Sequence, residues 1–242
     1  MSRKSRRNEP TRNPPSPVPA KSRGGIGRGA IFAIAGAVLV LLFVSGVLAY
    51  RSTQEEAARQ AAAKSAAHIA SSHAPAMGKP DAKVHIVEFL DPACETCAVM
   101  YPHVKKLMAD NPGRIRLSLR HVPFHHGSEH VVRLLESARA QDRYRETLEA
   151  LFASQDRWVV NHRVYPERVW PLLEGIGLDL ERVRREMNAA DVAARMDKDM
   201  ADAQALKVTK TPEYFVNGRP LPRFGLEELQ ALVREELRAA YP

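Results

Sequence analysis

Cysteine is nearly absent from this chain, with two residues in 242. A secreted domain stapled by disulfides would show several pairs, so apolar burial has to supply the core. A closed structural zinc site needs four ligands, and one cysteine pair is a weak signal for it. Internal repeats are missing too, which sets repeat architectures aside. Excess positive charge is missing from most of the sequence. The net charge is +8, but residues 1–28 hold eight Lys/Arg and one Glu, leaving 28 basic and 27 acidic side chains for the other 214 residues. A nucleic-acid-binding domain needs a basic face. The high pI belongs to a tail, and no nucleic-acid partner is expected.

What is present divides the chain into segments. Residues 1–28, rich in Arg, Pro, Ser and Asn, read as a disordered basic tail. Ala30 to Tyr50 is uncharged for 21 residues between Arg28 and Arg51. As a helix it would span about 32 Å, enough for a bilayer core. A signal peptide cleaved after Val47-Leu48-Ala49 is the competing reading, but its apolar segment would run only about 7–15 residues. The expectation is therefore an uncleaved anchor over 29–50, single-pass, with the basic tail keeping the N-terminus cytoplasmic. Residues 51–77 form an Ala-rich polar stalk ending at Pro75, Gly78 and Pro80. A domain over 78–242 follows.

Val84 to Leu90 is a near-continuous apolar run of strand length, as in a strand buried on both faces. Cys94-Glu95-Thr96-Cys97 comes directly after it, at the start of a helix-compatible run that contains Pro102. A helix N-terminus offers unpaired N–H groups and the positive end of a dipole. A thiolate placed there is stabilised, so Cys94 should ionise below its free value, with Cys97 one turn on and able to close a disulfide. Ile115 to Arg120 alternates as a second strand after the Asn111-Pro112-Gly113 turn. Strand, helix and strand make a βαβ unit with parallel pairing.

Residues 127–207 read as helical, with Val131, Leu134, Leu135 and Ala138 on one apolar face. Leu148, Leu151 and Phe152 form a second face, and Val192, Met196 and Met200 a third. Strands return at Glu213 to Val216, and Asn217-Gly218 marks a hairpin. Pro220 belongs on an edge strand, and a last helix covers about 226–239.

This order resembles the DsbA-like family of bacterial envelope oxidoreductases: α/β, a thioredoxin fold with an inserted helical subdomain, here preceded by one transmembrane helix. The resemblance covers about 78–242. Cys94 and Cys97 match its redox pair, and Glu88, six residues earlier, matches a buried acid. Pro102 matches a helix-kinking proline, and Thr211-Pro212 matches the cis-proline loop that faces the disulfide.

The resemblance implies dithiol–disulfide exchange with Cys94 as nucleophile and Cys97 as resolving thiol. Glu88 would move a proton for Cys97, and Thr211 and Pro212 would bind substrate. No cofactor beyond the redox disulfide is implied. Partners would be cysteine-containing envelope proteins and a membrane or envelope redox partner, with the domain on the periplasmic side of the inner membrane. Glu95-Thr96 replaces the Pro-His of a typical DsbA, and Thr211 stands where Val is common. Glu95 and Thr96 are therefore the residues expected to tune redox poise. A carboxylate beside Cys94 disfavours its thiolate, which points to a milder oxidant, a reductase or an isomerase.

A second reading makes the protein an envelope copper or zinc carrier using Cys94 and Cys97 with His121, His125, His126 and His130. No spacing among these residues fixes a closed geometry, so no metal ligand is assigned.

Overall fold

The computed structural model describes residues 28–69 and 72–242. The tail expected over 1–28 lies outside them, except for Arg28. The chain divides into two units, Met1–Arg51 and Ser52–Pro242. Helix α1 runs Arg28–Ile69. Within it Gly36–Ala57, 22 residues of mean hydropathy 1.6, is long and apolar enough to cross a membrane. Val38 to Phe43, Val44, Val47 and Leu48 are all exposed. So long an unburied apolar stretch suits lipid rather than water.

The second unit is built on β2 (Val84–Leu90), which follows a short β1 (Ala76–Met77). Then come α2 (Glu95–Asp110), which continues through Pro102, and β3 (Ile115–His121). The helical subdomain holds α3 (Ser128–Arg139), α4 (Tyr144–Ala153) and α5 (Gln155–Trp158). It continues with β4 (Val159–Val160), β5 (Arg163–Val164), two 3-10 turns, α6 (Leu180–Glu186) and α7 (Ala190–Ala205). The chain closes with β6 (Glu213–Val216), β7 (Arg219–Pro220) and α8 (Leu226–Ala240).

The main sheet has the order β1-β3-β2-β6-β7. β2 pairs parallel with β3 and antiparallel with β6, so it is central and six of its seven residues are buried. Alternation along β2 sends side chains to two cores. Ile86 and Leu90 join Tyr214, Cys97 and Tyr101 on one side, and Val87 and Phe89 join Phe215 and Val208 on the other. Glu88 shares the parity of Ile86 and Leu90, so it points to the side of the cysteines. Asn217 and Gly218, with φ of 47° and 83°, make the tight turn into β7, where Pro220 takes an edge position.

The ordered unit reaches further back than residue 78. Ala76 and Met77 pair with Leu117 and Ser118 of β3, and Ile69 packs with Val87 and Phe215. His68 Nδ1 lies 3.0 Å from Asp202 and His73 Nε2 2.7 Å from Asp199. The end of the expected stalk thus docks on α7.

The apolar faces read for α3 and α4 are in the core, but Met200 is 38% exposed while Val192 and Met196 are buried. Each step of four residues advances about 40° around a helix, so Met200 has turned roughly 80° from Val192. The 127–207 segment also holds a two-stranded β4–β5 hairpin, whose strands are too short to show a period.

Candidate active site

The turn between β2 and α2 is organised by Asp91. Its carboxylate is fully buried and accepts the Ala93 N–H at 2.9 Å and the His125 N–H at 2.7 Å. Its Oδ2 also meets His125 Nδ1 at 2.7 Å, and its carbonyl accepts the Cys94 N–H at 3.0 Å. Gln155, buried in α5, donates its amide to the carbonyls of Pro92 at 2.8 Å and Cys94 at 3.2 Å. The helical subdomain therefore grips the turn that carries the cysteines. Held this way, Cys94 is the N-cap of α2 in an extended conformation (φ −80°, ψ 117°). Its sulfur then lies at the end of the helix where N–H groups are unpaired.

Cys94 and Cys97 stand as free thiols in the structure. Cys94 keeps 6% of its surface accessible and Cys97 none. The Cys94 thiol lies 3.3 Å from the Thr211 carbonyl. Its pKa falls from 9.0 to about 6. The hydrogen bond from the Cys97 thiol is the main cause. Burial opposes it, while Thr211 and the N–H groups of Cys97 and Thr96 assist. Cys97 moves the other way, well above the usual thiol range, because it is buried, donates to Cys94 and feels the charges of Glu88 and Cys94. Two identical side chains are thus driven apart by position alone.

Glu88 has no accessible surface and accepts from the Tyr214 hydroxyl at 3.1 Å. Burial raises its pKa to about 8; the Tyr214 hydrogen bond opposes this and the Cys94 charge adds to it. Thr211–Pro212 is a cis peptide, with Pro212 buried next to the half-buried Thr211. Cys94 therefore lies within electrostatic or hydrogen-bond reach of Glu88, Cys97 and Thr211. Glu95 does not join them. It is 55% exposed and faces His162, with Oε1 3.4 Å from Nδ1.

The four histidines of the metal reading do not gather around the cysteines. His121 is buried against Tyr144 and Glu136, and His125 is bound by Asp91. His126 is exposed, and His130 stands edge-on to Trp170. Sequence reading missed Asp91, Gln155, Tyr214 and His162. Only Asp91 left a local signal, since an Asp at the head of a turn caps backbone N–H groups two residues on.

Residues 70–235 match the protein family described as Thioredoxin. The probable disulfide bond formation protein D of Bacillus cereus is 27% identical over 231 residues, 90% of this chain and 99% of that protein. A thioredoxin-like oxidoreductase from Silicibacter pomeroyi superposes with a TM-score of 0.61 at 28% identity, covering 70% of this chain and 94% of that one. Oxidised BdbD from Bacillus subtilis gives 0.60 at 25%, covering 69% and 94%. Similarity to curated Na+/H+ antiporters is partial: against NhaA of Herminiimonas arsenicoxydans it is 30% identity over 144 residues, 22% of the antiporter's length. The chain belongs to the thioredoxin family, as a DsbA-like member with a helical subdomain set into the fold.

Proposed function

We propose that this chain is a membrane-anchored thiol–disulfide oxidoreductase acting on cysteines of cell-envelope proteins. The observation that carries the reading is the asymmetry of the pair: a Cys94 that keeps a small accessible edge, with its pKa lowered to about 6, beside a sealed Cys97 with its pKa raised. At pH 7 roughly nine-tenths of the Cys94 thiol would be ionised, and the thiolate is the attacking form.

When a substrate disulfide is reduced, the Cys94 thiolate attacks one of its sulfurs. The S–S bond breaks, the other substrate sulfur leaves as thiolate, and a mixed disulfide forms. Cys97 then loses its proton to Glu88 through a water and attacks Cys94, releasing the second substrate thiolate. Oxidation of a dithiol runs through the same steps in reverse. Thr211 and Pro212 hold the substrate backbone in extended form beside the sulfur. The apolar helix anchors the domain on the periplasmic face of the inner membrane, with the basic tail inside.

The test is trapping. Cys97→Ala should accumulate mixed disulfides with envelope proteins through Cys94, seen as high-mass bands that vanish on reduction. Cys94→Ala should accumulate few. Equal trapping by the two variants would overturn the assignment.

Poise is a separate matter. A Cys94 pKa near 6 lies between the values of about 7 for thioredoxin and about 3.5 for DsbA. A less stabilised thiolate makes a weaker oxidant, so an intermediate potential follows. Thr96 contributes through its N–H, while Glu95 is largely solvated beside His162 and its charge is screened. Glu95→Gln should therefore move the Cys94 titration, followed by thiolate ultraviolet absorbance, by less than about one unit. A larger drop would return Glu95 to the centre of the redox tuning.

A further inference from the structure

Three segments converge at the outer edge of the cysteine turn. The first residue of α2 supplies Glu95 and the loop after β3 supplies His125. The tip of the β4–β5 hairpin supplies His162, held with Asn161 at positive φ (59° and 50°) in a two-residue turn. One ligand atom from each of Glu95, His125 and His162 lies within 4.8 Å of the others. The two imidazole rings are 6.0 Å apart and 32° from parallel. The hairpin is fixed in this place by the Val164 N–H, which donates to the His126 carbonyl at 2.9 Å, next to His125.

We propose that Glu95, His125 and His162 form a binding site for one zinc-class divalent transition-metal ion, one residue from Cys94. This is not the ligand set drawn from the histidine-rich sequence after β3. It uses neither cysteine, and it recruits His162 from the hairpin.

Two imidazoles and a carboxylate suit such an ion and leave a fourth position open. A second feature is independent of the cluster itself. The fully buried Asp91 carboxylate sits 2.7 Å from His125 Nδ1. Accepting from that nitrogen, it sets the ring tautomer and leaves Nε2 with its lone pair. A carboxylate behind a histidine is the outer-shell arrangement that orients metal-binding imidazoles and raises their basicity. His162 and Glu95 are 74% and 55% exposed, so an ion could reach them from solvent and their replacement leaves the core intact. Bound metal would tie the hairpin of the helical subdomain to the first turn of α2.

The experiment uses the full chain in detergent with Cys94→Ser and Cys97→Ser together, so that thiols cannot ligate. Zinc chloride is titrated calorimetrically, and cobalt(II) absorbance reads the ligand geometry. One ion per chain is expected, with affinity at least tenfold weaker in His162→Ala and in Glu95→Ala. Absence of saturable binding, or binding unchanged by His162→Ala, would overturn the proposal. Because both thiols are gone, the result does not depend on whether the pair exchanges disulfides.

Discussion

Replacing Arg120 with alanine should cost the domain about 3–5 kcal/mol, the penalty for breaking one side of a buried ion pair. Arg120 has no accessible surface, and its side chain meets two carboxylates that are nearly sealed as well. Nε donates to Asp199, Nη2 to Asp202 at 2.6 Å, and Nη1 to the His68 carbonyl at 2.9 Å. The guanidinium also lies 5.2 Å from the centre of the Phe89 ring. Burial pushes the Asp202 carboxyl up, yet Lys198, Arg120 and His68 together hold it down at about 2. Without the guanidinium, Asp199 keeps the His121 N–H at 2.8 Å and His73, and Asp202 keeps Lys198 and His68, but the two carboxylates lose the buried cation they share.

The expected drop in melting temperature of the full chain is on the order of 10 °C. Removing the charges together, as Arg120→Met with Asp199→Asn and Asp202→Leu, should recover part of the loss, because no buried charge is left unpaired and the asparagine keeps an oxygen for the His121 N–H. A fall of under about 1 kcal/mol for Arg120→Ala, the scale of an exposed pair, would show that water reaches the cluster.

This network also marks where sequence reading stops. The alternation over Ile115–Arg120 gives the strand correctly, and such a pattern puts Arg116, Ser118 and Arg120 on a solvent-facing side. In the fold that side is partly roofed by α7, whose Asp199 and Asp202 look like an ordinary polar helix face until Arg120 is placed opposite them. No local period carries that pairing, since it depends on how a helix far along the chain returns to the sheet. The cysteine pair was legible for the opposite reason: strand, turn and helix start are adjacent in sequence, and the chemistry follows from their order. Glu88 was legible in part. Its place in an apolar run implies burial, and parity in the strand decides the side it faces, but Tyr214 as its partner comes from the β2–β6 register. The Glu95, His125 and His162 cluster was out of reach, because His162 sits on a hairpin whose two-residue strands leave no pattern.

Glu88→Gln should make the reduced protein more stable at neutral and alkaline pH, and slower to release its mixed disulfides. The unfolded chain gives up this proton near 4.5 and the folded protein near 8. Below 4.5 both states hold the proton and the group contributes nothing. As pH rises from 4.5 to 8 the unfolded state binds fewer protons than the folded one, so stability declines, and above 8 the penalty is constant. That penalty is about 3 kcal/mol at pH 7 and roughly 4–5 kcal/mol above pH 8, as orders of magnitude.

Glutamine keeps an oxygen for the Tyr214 hydroxyl at the place of Oε1. The other position, Oε2, has no hydrogen-bond partner among the described residues. An amide N–H there resembles the protonated acid, so the variant should match the parent near pH 4. The measurement is urea denaturation of both full-length proteins, reduced, from pH 4 to pH 9. Their stability difference should open between pH 5 and 8 in favour of glutamine. A difference that stays constant with pH would mean that Glu88 titrates at the same place folded and unfolded. The same variant removes the proton acceptor proposed for Cys97, so the second exchange step should slow while the first, driven by the Cys94 thiolate, keeps its rate. An unchanged second step would overturn the role of Glu88 in the release by Cys97, and slowing of the first step alone would assign Glu88 to the attack by Cys94.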